Sequence, residues 1–252
     1  MRVRILGVGL GPQHVTPEVA AALRSCDYVI AAQKPGGADL LALRREIAAG
    51  HGVDVVAVPD PERDRADPAD YGQAVSDWHR ARVAAYEQVL RDRGGTAAFL
   101  VWGDPSLYDS TIRIVEQLAT RLPIDYDVLP GISAPQVLAA RHRIVLHPIG
   151  QPVHITTARR LRDDIDAGQT NLCVMLTRSV DLSGLGEWSL WWGANLGSAS
   201  EELVAGKVGD VAQAVENARA RAKQTAGWVM DVYLLRAPNH VAHARALTGG
   251  FS

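Results

Sequence analysis

Five short apolar runs, each closed within a few residues by glycine or proline, alternate with helix-like stretches through the first half of the chain. The runs are Val3–Val8, Tyr28–Ala32, Val53–Val58, Thr96–Trp102 and Asp125–Leu129. They are too short for buried helices and read as buried strands. Between them, Thr16-Pro17-Glu18 opens a helix running to about Ser25: Thr caps, Pro fits the first helical position, and Glu complements the helix dipole. Ala38–Ala49, Gln73–Arg93 and Ser110–Arg121 carry further helical patterns, and Pro59–Gly72 reads as a surface loop. This rhythm predicts a mostly parallel five-stranded sheet with helices on its faces. Such sheets bind ligands at the carboxyl ends of their strands.

The second half has a denser pattern. Strand candidates are Val153–Thr157, Leu172–Thr177, Leu190–Ala194 and Trp228–Leu235, which suggest a mixed sheet. Between them lie Leu161–Gly168, Glu201–Ala205 and the alanine-rich helix Val208–Ala226. The expected fold class is therefore α/β with two α/β domains, residues 1–128 and 129–252. At 252 residues, 47% hydrophobic and 21% charged, the chain has ample material for such cores, and extensive disorder is excluded. A net charge of −2 supplies no basic field for nucleic acid or an anionic membrane. No run approaches the roughly 18 apolar residues of a membrane span. Glycines break the opening MRVRILGVGLG too early for a signal peptide. Cys26 and Cys173 read as buried free thiols, consistent with a cytoplasmic setting. The histidines (His14, His51, His79, His142, His147, His154, His240, His243) show no metal-ligand spacing, so no metal is expected.

Three turns mark the carboxyl edge of the expected parallel sheet. Gly7-Val8-Gly9-Leu10-Gly11-Pro12 follows the first strand. A dinucleotide fingerprint would need glycine where Pro12 stands and an acidic residue ending the second strand, so a nicotinamide enzyme is disfavoured. No phosphate-cradling G-x-x-x-x-G-K-[ST] occurs, and no G-x-S-x-G elbow. Trp102-Gly103-Asp104-Pro105-Ser106-Leu107-Tyr108 forces a turn after the fourth strand. Asp104 either caps that turn or presents a carboxylate in the crevice, and Tyr108 is either core or contact. Pro130-Gly131-Ile132-Ser133-Ala134 follows the fifth strand, with Ser133 a good helix cap.

Together these turns are far more specific than any one alone. The chain resembles the tetrapyrrole methylases, enzymes that use S-adenosylmethionine (SAM) to methylate the cobalamin precursor ring. Within the family, VWGDPSLYDST (Val101–Thr111), ISAPQVLAARHRIVLHPIG (Ile132–Gly150) and WVMDVYLLR (Trp228–Arg236) look most like the members that methylate C-1 of the ring with loss of acetate. The resemblance implies two α/β domains with a cleft between them, a homodimer, a small-molecule precorrin substrate, and neither nucleic acid nor membrane as partner. It implies SAM contacts at Pro12, Val101, Gly103, Asp104, Tyr108, Ser133 and Ala134. In the second domain it implies Met175, Leu176, Asn195, Leu196, Trp228, Val229 and Met230. The sequence departs from the family twice: Met175-Leu176 stands where Met-Gly or Met-Ala is usual, and Trp228-Val229 where Pro-Ala is frequent.

The implied reaction converts precorrin-5, SAM and water to precorrin-6A, S-adenosylhomocysteine and acetate. The ring carbon is an enamine-like nucleophile, so methyl transfer asks mainly for positioning, which can supply on the order of 7–11 kcal/mol. Acetate release needs water directed at an acetyl carbonyl, and Asp104 and His14 are the catalytic candidates. Arg113, Arg141 and Arg143 are candidates for the substrate carboxylates. A relative acting on another precorrin carbon, or on RNA or protein, is the alternative.

Overall fold

The computed structural model describes residues 1–33, 38–61 and 71–238, without the side chains of residues 38, 39 and 71–76. His240, His243 and most of the loop expected over 59–72 lie outside the described residues. The chain forms two compact units, Met1–Ser133 and Ala134–Ser252.

The first unit is built from β1 (Arg2–Gly7), α1 (Pro17–Arg24), β2 (Tyr28–Gln33), α2 (Ala38–Ala49), β3 (Asp54–Pro59), α3 (Tyr71–Arg93), β4 (Thr96–Val101), α4 (Thr111–Ala119) and β5 (Asp125–Leu129). The strands pair in the order β3-β2-β4-β1-β5, all parallel. The α1 cap forms as the sequence implies, with Thr16 Oγ1 accepting from the Val19 amide at 3.2 Å. β1, β2 and β4 feed two cores because their side chains alternate faces. Val3, Ile5, Tyr28, Ile30, Phe99 and Val101 pack with α3 and α4 through Val83, Leu90, Ile114 and Leu118. Leu6, Val8, Val29, Ala98 and Leu100 pack with α1 and α2 through Val19, Leu23, Ile47 and Ala48.

That division fixes where a ligand can enter. After β1 the chain crosses one way, through α1 to β2; after β4 it crosses the other way, through α4 to β5. The two helices lie on opposite faces, so the direction of crossover reverses between β1 and β4. This is the switch point at which open α/β sheets bind ligands.

The second unit contains α5 (Ala134–His142), β6 (His154–Thr157), α6 (Leu161–Asp166), β7 (Asn171–Met175), β8 (Ser189–Ala194), β9 (Glu202–Lys207), α7 (Val208–Ala226) and β10 (Asp231–Arg236). Its sheet order is β6-β7-β10-β8-β9; β6 and β7 are parallel and the other pairs antiparallel. Trp192, Tyr233 and Leu235 are fully buried against α7 residues Val215, Ala218 and Ala222. β9 is a strand that the apolar pattern does not reveal. Its side chains alternate only between half-buried and exposed, as an edge strand allows. The late strand begins three residues later than expected, at Asp231, which leaves Trp228–Met230 in the preceding loop.

Candidate active site

The three turns of the first unit meet and bond to one another. Gly9 and Gly103 exchange backbone hydrogen bonds, Gly9 N to Gly103 O at 3.2 Å and Gly103 N to Gly9 O at 2.8 Å. The β1 and β4 turns are thereby stitched together beyond the sheet. Asp104 joins the third turn. Its Oδ2 accepts from the Gly131 amide at 2.9 Å, while Oδ1 accepts from the amide and hydroxyl of Ser106. Partial burial works to raise the Asp104 pKa, but these hydrogen bonds outweigh it and hold the carboxyl below its usual range. Both oxygens of Asp104 therefore serve the turns.

Glycines set how closely the turns approach. A Cβ on Gly131 would sit 2.2 Å from the Gly103 carbonyl oxygen and 2.6 Å from the Gly7 carbonyl carbon. A Cβ on Gly7 would sit 2.4 Å from the Gly131 nitrogen. Gly103 is the opposite case. Its φ is +75°, and a Cβ there would meet nothing nearer than Leu10 Cδ2 at 4.0 Å. Two glycines are thus packed against backbone, and the third has open space beside it.

Around this cradle stand the other sequence candidates of the unit. Val101 ends β4 and is buried; its carbonyl accepts from the Val8 amide at 2.9 Å. Pro12 starts a single 3-10 turn, Pro12–His14, just after Gly11. Ser133 is buried immediately before α5. Tyr108 is 46% exposed at φ +52°, so it is a contact surface rather than core. His14 is drawn back onto the first turn: its Nδ1 accepts from the Leu10 amide at 3.2 Å. An accepting Nδ1 places the proton of the neutral ring on Nε2, leaving that nitrogen a donor.

In the second unit the remaining candidates gather on one sheet edge. The pairs Tyr233↔Val174 and Asp231↔Ala194 set the start of β10 beside the ends of β7 and β8. Asn195 organises this edge. Its amide donates to the Met230 carbonyl at 2.8 Å, its Oδ1 accepts from the Met230 amide, and its Nδ2 donates to Trp228 O and Ser200 Oγ. Asn195 therefore holds the Trp228–Met230 segment. Leu196 is buried below, Met175, Trp228 and Val229 are half-buried, and Met230 and Leu176 are exposed. Ala134 opens α5 elsewhere in this unit.

Among the described residues, four non-glycine residues have left-handed backbones: Tyr108, Arg143, Leu176 and Asn195. Each is a position singled out from sequence. Bulky residues pay roughly 1–2 kcal/mol for this conformation, and such strain concentrates at functional sites. Leu176, at φ +55°, directly follows the last residue of β7.

The arginines predicted for substrate do not share a setting. Arg113 and Arg143 are exposed, and Arg141 donates to Glu201 at 2.8 Å. Sequence reasoning missed a different charged group, Asp231. Its carboxylate is fully buried, accepting from Arg219 Nε at 2.9 Å and Trp192 Nε1 at 3.3 Å. Arg219 also donates to the Arg178 carbonyl, which ties the loop after β7 to the start of β10. The available signal was an acid inside the apolar run WVMDVYLL. Removing the cation strands a buried charge, so Arg219→Ala is expected to lower stability by roughly 3 kcal/mol in urea denaturation. Adding Asp231→Ala should restore part of that loss.

A parallel α/β unit whose glycine-rich turns meet at its switch point, followed by a mixed-sheet unit, defines a recognisable class. The chain belongs to the tetrapyrrole methylase family: the family model for Tetrapyrrole (Corrin/Porphyrin) Methylases matches residues 2–212. Membership makes it a methyltransferase. Over 248 residues it is 39% identical to a precorrin-6A synthase (deacetylating) from Sinorhizobium sp, covering 93% of this chain and 95% of that relative. The cobalamin synthesis related protein CobF from Corynebacterium diphtheriae has a similar structure, with TM-score 0.80 and 36% identity over 94% of this chain and 98% of that one. The cobalt precorrin-4 methyltransferase CbiF shares the fold at TM-score 0.67 and 15% identity, covering 94% of each chain.

Proposed function

We propose that this protein is a SAM-dependent C-methyltransferase of aerobic cobalamin biosynthesis, converting precorrin-5 to precorrin-6A with release of acetate. The observation that carries the reading is the stitched cradle, in a chain similar along nearly its whole length to a deacetylating precorrin-6A synthase. The cradle fits SAM because Gly103 leaves room where any other residue would project a side chain. SAM, when bound, supplies an electrophilic methyl on a sulfonium.

In this reading Pro12, Val101, Gly103, Tyr108 and Ser133 contact the cofactor from the first unit. Backbone carbonyls suit a sulfonium, and Tyr108 offers an exposed ring. Asp104 contributes through the turns it staples. The candidate contacts of the second unit are Ala134, Met175, Leu176, Asn195, Leu196, Trp228, Val229 and Met230, with Asn195 acting by holding its neighbours.

Deacetylation divides differently from the sequence-based pair. Asp104 is committed to the Gly131 and Ser106 donors and is a weak base, whereas His14 is an imidazole held against the first turn. We assign His14 the role of hydrogen-bond donor to the acetyl oxygen. Water adds to the acetyl carbonyl carbon, the bond to the ring breaks, and acetate leaves. The electron pair stays with the ring carbon, and the protons of water pass to solvent. A homodimer in the cytoplasm accompanies this reading.

The test is mass spectrometry of the corrinoid together with assay of free acetate, in a reaction containing SAM and precorrin-5 made in place by upstream enzymes. Methyl gain with one acetate per turnover is expected. Methyl gain without acetate would move the protein to another ring carbon, and SAM binding without any change in the ring would move it to another substrate.

A further inference from the structure

One arginine of the first unit is placed unlike the rest. β2 and β4 are neighbours, yet they pair only at Tyr28↔Ala97 and Val29↔Ala98, although both strands continue. Their carboxyl ends splay. Carbonyls alternate sides along a strand, and Val101 O is taken by Val8 on the β1 side, so Leu100 O faces the gap. Arg44 fills that gap. Side chains on a helix lean toward its N-terminus, so Arg44 on α2 reaches up toward the carboxyl edge of the sheet. Its Nε donates to Leu100 O at 2.9 Å, and its Nη1 approaches Leu40 O at 3.5 Å.

A guanidinium has five N–H donors, and among the described residues this half-buried one uses two. No carboxylate lies within ion-pair distance of it among the described residues. Burial lowers its pKa, and the more distant Asp109, on the β4–α4 segment, offsets this only in part. Other sheltered arginines of the first unit are paired: Arg82 with Asp60 while stacked on Trp78, and Arg4 with Asp127. A desolvated cation without an acid costs stability unless a ligand supplies one. The residue it holds, Leu100, directly precedes Val101 of the cradle.

We propose that Arg44 binds a carboxylate of the tetrapyrrole substrate through the free side of its guanidinium, anchoring the ring beside the methyl-transfer crevice. This rests on the reading of the substrate as a polycarboxylated precorrin. Planar guanidinium and carboxylate match in a two-bond fork that an ammonium does not reproduce. Arg44 thus takes the role that sequence proximity suggested for Arg113, Arg141 and Arg143.

The experiment is a fluorescence titration of wild type, Arg44→Gln and Arg44→Lys with uroporphyrin III, using its fully methyl-esterified form as control. SAM affinity of each protein is measured alongside by calorimetry. Arg44→Gln is expected to weaken free-acid binding by about 10-fold to 100-fold, as for loss of a charged hydrogen-bond pair, and Arg44→Lys by less. Binding of the ester and of SAM should not change. Equal binding of the free acid by wild type and Arg44→Gln would overturn the anchor and leave the functional reading standing. A parallel loss of SAM and porphyrin binding would make Arg44 a structural strut and also overturn it. Wild type that binds SAM but not the free-acid porphyrin would remove the polycarboxylate reading, and the anchor with it.

Discussion

A Gly131→Ala protein is expected to lose SAM binding by more than 100-fold and to be less stable by at least about 3 kcal/mol, the upper end of ordinary overpacking. The added methyl would meet Gly103 O at 2.2 Å and the Gly7 carbonyl carbon and Cα at 2.6 and 2.8 Å. All three atoms are backbone, so no side-chain rotation gives relief. Gly131 does not have a left-handed backbone, so alanine meets no conformational objection there and the effect is purely steric. The turns must part, and parting breaks the bond from Gly131 N to Asp104 Oδ2. Gly150→Ala is the comparison. Its φ is +74° and a Cβ there meets nothing within 4 Å. It should cost about 1–2 kcal/mol from backbone strain and leave SAM affinity alone. Chemical denaturation with calorimetry on both variants separates the outcomes. Equal SAM affinity in the two proteins would mean that close approach of the turns is irrelevant to the site.

How much of this was legible in the sequence follows from the range over which each feature is determined. The β-α rhythm of the first unit is local: strand runs, the Thr16 cap and terminal glycines each act over a few residues, and the helices and strands fall near the expected positions. β9 escaped because an edge strand with exposed alternate residues needs little apolar pattern. The turn motifs announced where the site would be, yet not what each residue does. Asp104 stood equally for a cap or a reactive carboxylate until Gly131, 27 residues away, proved to be its partner. Gly7 and Gly131 look alike in sequence to any turn glycine; only the three-dimensional meeting of the turns shows that they exclude a methyl group. Arg44 sits in Leu43-Arg44-Arg45-Glu46, which reads as a solvated helix face. Its burial arises from the splay of β2 and β4, a long-range property of strand pairing.

Gly103→Arg should abolish SAM binding while leaving a folded protein, the reverse of the balance at Gly131. Its left-handed backbone makes any side chain cost about 1–2 kcal/mol. For a protein of this size, each such kcal/mol lowers Tm by roughly 2–4 °C. The Cβ itself meets no obstacle, so the long side chain has room to enter the space assigned to the cofactor. It also brings a second cation toward a sulfonium, adding repulsion to the loss of room. Gly103→Ala separates these effects, because it carries the same backbone strain with almost no added bulk. It is expected to keep SAM affinity within about 10-fold of wild type while matching the Tm of Gly103→Arg to within a few degrees. Calorimetric titration with SAM reads the first quantity and thermal unfolding the second. If Gly103→Arg binds SAM as wild type does, the open face of the Gly-Asp-Pro turn is not where the cofactor lies. If Gly103→Ala fails as completely as Gly103→Arg, the backbone shape of the turn, rather than the space beside it, is what the cofactor requires.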